Sequence, residues 1–274
     1  MDNSNFYLDE LVLWTSEGID KAMLCYGGFS TITEYESLIQ YLHHNESISF
    51  AKLKFEKRIR SYLLGRFVAK QAIAALTAEK YLANIDIEPG VFNQPVVVSN
   101  HANIQVSITH CDDLGVAIAF PEVHPMGIDL EKINYNKRDI LGRQITAFEK
   151  KLADALLVEE TGLTLLWTVK EALSKTIKTG LLTPFEVFEV SQIELSGNFI
   201  RCNFKNFTQY RALSFVIDDY LCSLVLPQRT RLEFDIVSFL TCFTMIALGR
   251  GKINTTFTVS SNLPFENGIS SERE

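Results

Sequence analysis

Two short segments carry acidic and basic side chains in patterns that could do phosphate chemistry. In Gly127-Ile128-Asp129-Leu130-Glu131, apolar and acidic residues alternate. Residues two apart on a strand share a face, so Asp129 and Glu131 point together while Ile128 and Leu130 turn toward a core. Adjacent carboxylates repel, and burying them side by side is costly without a cation. Mg²⁺ relieves that cost, because it binds one or two carboxylates together with phosphate oxygens and waters. Farther along, Trp167-Thr-Val-Lys170-Glu171-Ala-Leu-Ser-Lys175 reads as a helix. At about 100° per residue, Leu165, Leu166, Val169, Ala172, Leu173, Thr176 and Ile177 form its core face. Trp167, Glu171, Ser174, Lys175 and Lys178 lie opposite, with Lys170 at the boundary. Each segment alone has a plain alternative. A lone D-x-E describes a solvated strand end, and Glu171 with Lys175 describes a surface i,i+4 pair near a helix C-terminus. Trp167 argues against a bare solvated face and predicts a second layer packed over it. Taken together, the two segments offer three acids and flanking cations, the parts needed to hold a divalent metal against a phosphate ester.

The elements that must position these groups follow an α+β pattern. A strand around Leu11-Val-Leu-Trp14 sits among acidic turns in residues 1–50. A helix is predicted from about Ser49 to Lys80, with Leu63, Phe67 and Ile73-Ala74 on its apolar stripe. Lys52, Lys54, Lys57, Arg58 and Arg60 load its first turns with positive charge. Pro89-Gly90 and Asn93-Gln94-Pro95 mark a loop. Residues 96–98, 104–108 and 116–120 read as strands, the last two joined at Asp112-Asp113, and Pro121 to Pro125 is a connector. The order then repeats. Gly127 to Ile133 is a strand, Thr146-Ala-Phe-Glu149 is a capping-box signature, and the Trp167 helix stops before Gly180 and Pro184. Strands follow at Phe185–Val190 and Phe199–Phe204, then a hairpin over Ala212–Leu226 turning at Asp218-Asp219. The Asp-Asp turns, and the helices that open Leu63-Leu64 and Leu165-Leu166, recur at an offset of roughly one hundred residues. That recurrence indicates an internal duplication and predicts a ligand cleft between two similar halves. The halves are drawn at residues 1–120 and 121–227, with a tail at 228–274. In the tail, Ile236 to Gly249 is an uncharged run of fourteen residues between Asp235 and Arg250. It is too short to cross a bilayer comfortably, which takes about twenty residues, and reads as a buried helix or strand rather than an interfacial anchor, since it is apolar all round with no basic face. From Asn254 onward the chain is polar.

Bulk properties narrow the field. The 274 residues suffice for one large or two small domains with ample core. The chain is 47% apolar and 22% charged, as globular proteins are. Its net charge of -7 argues against nonspecific nucleic-acid binding, though not against a local basic patch. Five scattered cysteines, with no C-x-x-C, favour reduced thiols and a cytoplasmic setting over disulfides or a zinc site. The acidic start, Met1 to Glu10, does not read as a signal peptide.

These motifs resemble the surfactin-type 4′-phosphopantetheinyl transferases. The likeness rests on Gly127-Ile-Asp129-Leu-Glu131, Thr146-Ala-Phe-Glu149 and Trp167-Thr-Val-Lys170-Glu171-Ala-Leu-Ser-Lys175. Upstream, Ser107-Ile-Thr109-His110 is similar to the family's S/T-H element and Leu63-Leu-Gly65-Arg66 to its L-x-G-R element. The resemblance runs from about residue 10 to 226 in motif order. It implies a pseudo-duplicated α+β fold, each half a long helix on a small, mainly antiparallel sheet. The implied activity is transfer of the 4′-phosphopantetheine arm from coenzyme A to a serine of a carrier protein, releasing 3′,5′-ADP. The carrier would belong to fatty-acid, polyketide or nonribosomal peptide synthesis. Mg²⁺ would be held by Asp129 and Glu131, with Glu171 as third ligand, general base or both. Lys175 would contact the coenzyme A phosphates, Lys170 would support charge nearby, and Thr109, His110 and Arg66 would join in binding the co-substrate. On its own, His110 beside a turn also reads as structural. The expected state is a monomer with no membrane span.

The chain departs from the family pattern at two places. Asn93-Gln94-Pro95 stands where many members carry G-K-P, and neutral Gln94 cannot supply that lysine's charge. Glu46 and Ser49 stand where members often place basic residues. Lys52 to Arg60 could compensate and dock an acidic carrier, or could simply be a solvated helix face. Two other classes fit the same residues: a weak relative that binds coenzyme A or a carrier without efficient transfer, and an unrelated metal-dependent phosphoesterase.

Overall fold

The computed structural model describes residues 5–98, 103–180 and 183–248. Strands β1 (Phe6–Trp14) and β2 (Ile19–Gly28) pair along the whole of β1. Two short helices follow, α1 (Ile32–Ser37) and α2 (His44–Phe50), then the long helix α3 (Glu56–Thr77). Next come β3 (Asp86–Pro89) and β4 (Pro95–Val98), a small separate hairpin, and β5 (Ile104–Cys111) and β6 (Leu114–Pro121). Beyond the connector lie β7 (Gly127–Lys132), α4 (Arg138–Gly142), α5 (Ala147–Asp154) and the second long helix α6 (Glu159–Thr176). Four strands complete the second sheet: β8 (Val190–Ser196), β9 (Phe199–Phe204), β10 (Tyr210–Ile217) and β11 (Tyr220–Pro227). The chain then adds β12 (Arg231–Glu233) and α7 (Ile236–Ala247).

These strands make two antiparallel five-stranded sheets, ordered β12-β1-β2-β6-β5 and β7-β11-β10-β9-β8. Helix α3 covers one face of the first sheet and α6 one face of the second. The remaining faces share a central core. Tyr26 and Ile118 from the first sheet meet Ile128, Phe215 and Leu224 from the second. The uncharged run forms α7 up to Ala247, and its Phe239 and Phe243 plug this core, Phe239 edge-on to Tyr26 at 5.1 Å. Burying a ring of this size contributes about 1.5–3 kcal/mol. Residues 228–248 are therefore built into the fold, with β12 extending the first sheet beside β1. Gly249 and the polar segment from Asn254 lie outside the described residues. Among the described residues, no helix is long and apolar enough to cross a membrane.

Two elements differ from their sequence expectation. The long first helix starts at Glu56, not Ser49, because Glu46 closes a capping box with His43 that starts the separate helix α2. Lys52 and Lys54 consequently sit in the turn between the helices. Phe185–Phe188 is a 3₁₀ turn, and strand β8 begins only at Val190. Both phenylalanines are buried, and the three-residue period of a 3₁₀ turn puts i and i+3 on one side, where strand alternation would separate them.

Among the described residues, two buried ion pairs, one beside each long helix, have matching partners. Glu46 Oε2 accepts from His43 N (2.9 Å) and pairs with Lys70 Nζ (2.5 Å), and Lys70 also donates to Tyr41 O (2.8 Å). Glu149 Oε2 accepts from Thr146 N (2.9 Å) and from Lys170 Nζ (2.7 Å), and Lys170 also donates to Gln144 O (3.1 Å). The other carboxylate oxygens accept from Ile87 N (3.3 Å) and Val190 N (2.8 Å), the start of each following sheet segment. Each glutamate thus ties a helix start, a long helix and a strand together.

Candidate functional site

The carboxylates meet the lysines because α6 lies directly on the start of β7. A Cβ added at Gly127 would fall 2.2 Å from Ala172 O and 2.5 Å from Thr176 Oγ1, so only glycine permits this approach. Buried hydroxyls hold the helix down: Thr168 Oγ1 is 2.7 Å from Ser223 Oγ, which is 2.8 Å from Ser214 Oγ. Lys175 Nζ then donates to Asp129 Oδ1 (2.7 Å) and to Ile128 O (3.1 Å). From the first sheet, Thr109 Oγ1 donates to Asp129 Oδ1 (3.0 Å) and accepts from Leu130 N (3.1 Å). Ser107 Oγ accepts from Ile128 N (3.0 Å). Two hydroxyls of β5 therefore stitch the first sheet to β7 across the seam between the sheets.

Asp129 is buried, and its second oxygen, Oδ2, has no hydrogen-bond partner among the described residues. An unsatisfied buried carboxylate oxygen is costly, and a cation is one group that would satisfy it. Glu171 titrates at about 7, raised from an ordinary 4.5. Burial is the largest cause, followed by the charge of Asp129, partly countered by Lys175, with the charge of Glu131 raising it further. The three acids thus form one electrostatic site, although no group of three or more His, Cys, Asp or Glu side chains among the described residues is drawn tightly enough to hold a metal ion. In this arrangement the ammonium of Lys175 supplies the positive charge beside Asp129.

The raised value sets a pH dependence. A carboxyl that titrates higher in the folded protein contributes stability that is full below pH 4.5 and is lost as pH rises to about 7. In chelator the melting temperature of Glu171→Gln therefore gains on that of the wild type across this window, read by scanning calorimetry. A constant difference between the two proteins would contradict the burial of Glu171.

Lys170, expected at the boundary of the helix's polar face, is fully buried. Its ammonium is fully covered, paired with Glu149 and lying 5.9 Å from the Phe185 ring centre. Trp167 stacks on Phe185 at 4.9 Å, and this is the second layer its sequence position predicts. Ser174, placed on the polar face by the helical pattern, is buried.

Beside the carboxylates, a cleft of about 280 Å³ is lined by Arg58, Tyr62, Arg66, Asn93, Pro95 and His110, among others. His110 is exposed at its rim, and its pKa lies below the usual 6.5, lowered first by partial desolvation and then by the cations Lys175 and Arg58. A neutral imidazole thus links the carboxylate site to the cleft. Arg66 Nε lies 3.3 Å from Glu46 Oε1, and its guanidinium lies 5.0 Å from the Tyr62 ring centre. Gln94 Oε1 accepts from Phe92 N (2.9 Å), and its amide fills the space over Gly90. The residue standing at the family's lysine position is therefore used to close its own turn. A second concavity, about 350 Å³ along α4, α5 and α6, is lined by Asp139, Gly142, Arg143, Lys150, Glu159 and Leu163 and holds none of the predicted site residues.

Some contacts of these residues were not visible in the sequence. Ser107 and Thr109 carried a signal, since hydroxyls two apart share a strand face, but their target on β7 depends on which strands adjoin. Glu149 was legible only as a helix cap.

Residues 125–225 match the family model described as the 4′-phosphopantetheinyl transferase superfamily. That segment holds Asp129, Glu131, Glu149, Lys170, Glu171 and Lys175. Among solved structures, the chain is similar to a holo-(acyl-carrier-protein) synthase from Bacillus anthracis str. Ames in complex with CoA (3′,5′-ADP), at 17% identity and a TM-score of 0.33, over 40% of this chain and 96% of that one. No curated protein matches the chain.

Proposed function

We propose that this protein transfers the 4′-phosphopantetheine group from coenzyme A to a serine of an acyl or peptidyl carrier protein, releasing 3′,5′-ADP. The observation that carries this reading is the three-carboxylate site of Asp129, Glu131 and Glu171, set beside a cleft lined by Arg58, Arg66, His110 and Glu88 and lying in the segment that matches the superfamily. The surfactin type is the finer reading. It is supported by the Glu46–Lys70 and Glu149–Lys170 pairs, which recur with the same partners as a duplicated chain would keep them.

The all-oxygen donor set and the unsatisfied Asp129 Oδ2 fit Mg²⁺, with Asp129, Glu131 and Glu171 as its holders. Bound there, Mg²⁺ would polarise the phosphoryl group and offset charge on the departing ADP. Glu171, beside Asp129 in the carboxylate site, takes the proton of the serine hydroxyl. The serine oxygen forms the new bond to the β-phosphorus of coenzyme A, and the bond from that phosphorus to the oxygen bridging to 3′,5′-ADP breaks. Lys175 and neutral His110 donate hydrogen bonds to phosphate oxygens, and Arg58 and Arg66 add charge along the cleft. Thr109 serves the site by holding Asp129, and Lys170 serves it from beneath by anchoring α6.

The first half would thus contribute mainly to coenzyme A binding and the second to metal and catalysis, in a cytoplasmic monomer. Lys52, Lys54, Lys57 and Arg58 are exposed and form the docking surface for an acidic carrier, whereas Arg60 is engaged by Glu56 at 2.6 Å. A phosphoesterase reading of the same acids makes a different product pattern. With coenzyme A and Mg²⁺, chromatography is expected to show 3′,5′-ADP only when an apo-carrier is added. Its release at equal rate without a carrier would mean hydrolysis and would overturn the transfer reading.

A further inference from the structure

The network at Glu46 has one partner that its counterpart at Glu149 lacks. Both are fully buried glutamates at the third position of a capping box, both pair with a buried lysine of the following long helix, and both accept from a strand N–H. Among the described residues, only Glu46 also faces an arginine. Arg66 stands one turn before Lys70 on α3, with Nε 3.3 Å from Glu46 Oε1. At the corresponding turn of α6, four residues before Lys170, stands Leu166. Arg66 is further fixed by Tyr62, whose ring lies under the guanidinium and whose hydroxyl donates to Glu46 O at 3.1 Å. The approach is an ion pair without a hydrogen bond from Nε, and Arg66 also lines the cleft. An arginine side chain is rich in rotamers, and one held ready in place avoids the cost of ordering it when a ligand arrives.

We propose that Glu46 is a positioning residue for anion recognition: it holds Arg66 against the cleft wall, where the guanidinium receives a phosphate of the nucleotide end of coenzyme A. The proposal rests on the reading of the cleft given above. It also accounts for an acid at a position where members of the resembling family often place a base. Positioning and simple charge predict opposite signs. Replacing Glu46 by Gln removes a negative charge next to the cleft, so charge alone predicts tighter anion binding, while loss of positioning predicts weaker binding.

The test is calorimetric titration of 3′,5′-ADP into the full-length chain. Glu46→Gln is expected to weaken binding by about five-fold or more, while Glu149→Gln, which disturbs the matching network in the other half, changes it by less than about two-fold. Arg66→Ala weakens binding by at least as much, and the double variant Glu46→Gln with Arg66→Ala is no weaker than Arg66→Ala alone, as for residues acting through one contact. Arg66→Lys, which keeps the charge and the folded core but not the Nε contact, is expected to behave like Glu46→Gln, and it decides the matter if Glu46→Gln does not fold. Unchanged or tighter binding in Glu46→Gln, wild-type binding in Arg66→Lys, or additive losses in the double variant would each overturn the proposal while leaving the transferase reading in place. A wild-type protein that binds no 3′,5′-ADP would overturn the cleft assignment and this proposal with it.

Discussion

Asp129→Ala is expected to lower kcat/KM for carrier modification by about 10²–10⁴-fold, with the fold intact. Three consequences of the change act together. The substitution removes the buried Oδ2, takes the acceptor from the Thr109 hydroxyl, and frees Lys175 from its 2.7 Å partner. The fold survives because Lys175 is 28% exposed and can recover water, unlike a sealed lysine. Glu171→Gln, nearly identical in shape, is expected to lose a comparable factor by removing the proton acceptor and one holder of Mg²⁺. Steady-state assays with an apo-carrier separate these variants from wild type, and a loss under ten-fold in Asp129→Ala would mean that the acid is structural.

Glu149→Ala is expected to cost about 3–5 kcal/mol of stability, a large part of what a domain possesses. Lys170 is 0% exposed, so removing its carboxylate strands an ammonium in the core. The same change frees Val190 N and the helix start at Thr146. Replacing both partners, Glu149→Gln with Lys170→Met, should recover most of the loss, because a buried pair contributes little over apolar residues of similar size. Urea midpoints of the three proteins test this. A cost below about 1 kcal/mol for Glu149→Ala would show that water reaches Lys170.

Much of this site can be read from period and residue type. The alternation in Gly127 to Glu131 placed Asp129 and Glu131 on one face, the capping box at Thr146 was read directly, and both Asp-Asp turns are hairpin turns, with Asp112 and Asp218 at φ of 52° and 53°. What remained hidden depends on neighbours distant in sequence. Lys170 reads as a boundary cation because lysines are seldom fully buried, and only the fold brings Glu149 against it. Thr109 reads as a ligand contact until the seam between β5 and β7 turns it toward Asp129. Phe185 reads as a strand residue because the stacking partner that bends its segment, Trp167, lies on another element. The start of α3 shifts for the same reason: Glu46 belongs to a network closed by Lys70, well down the chain.

The central claim is that a serine of a carrier protein receives the pantetheine arm at the Asp129–Glu171 site. Intact-mass measurement of an apo-carrier after incubation with coenzyme A, Mg²⁺ and this protein tests it most directly. The account predicts a mass gain of one 4′-phosphopantetheine on the carrier serine, absent with Glu171→Gln and on omission of Mg²⁺. Carriers of the fatty-acid, polyketide and peptide types all left unmodified by the wild-type protein would contradict it.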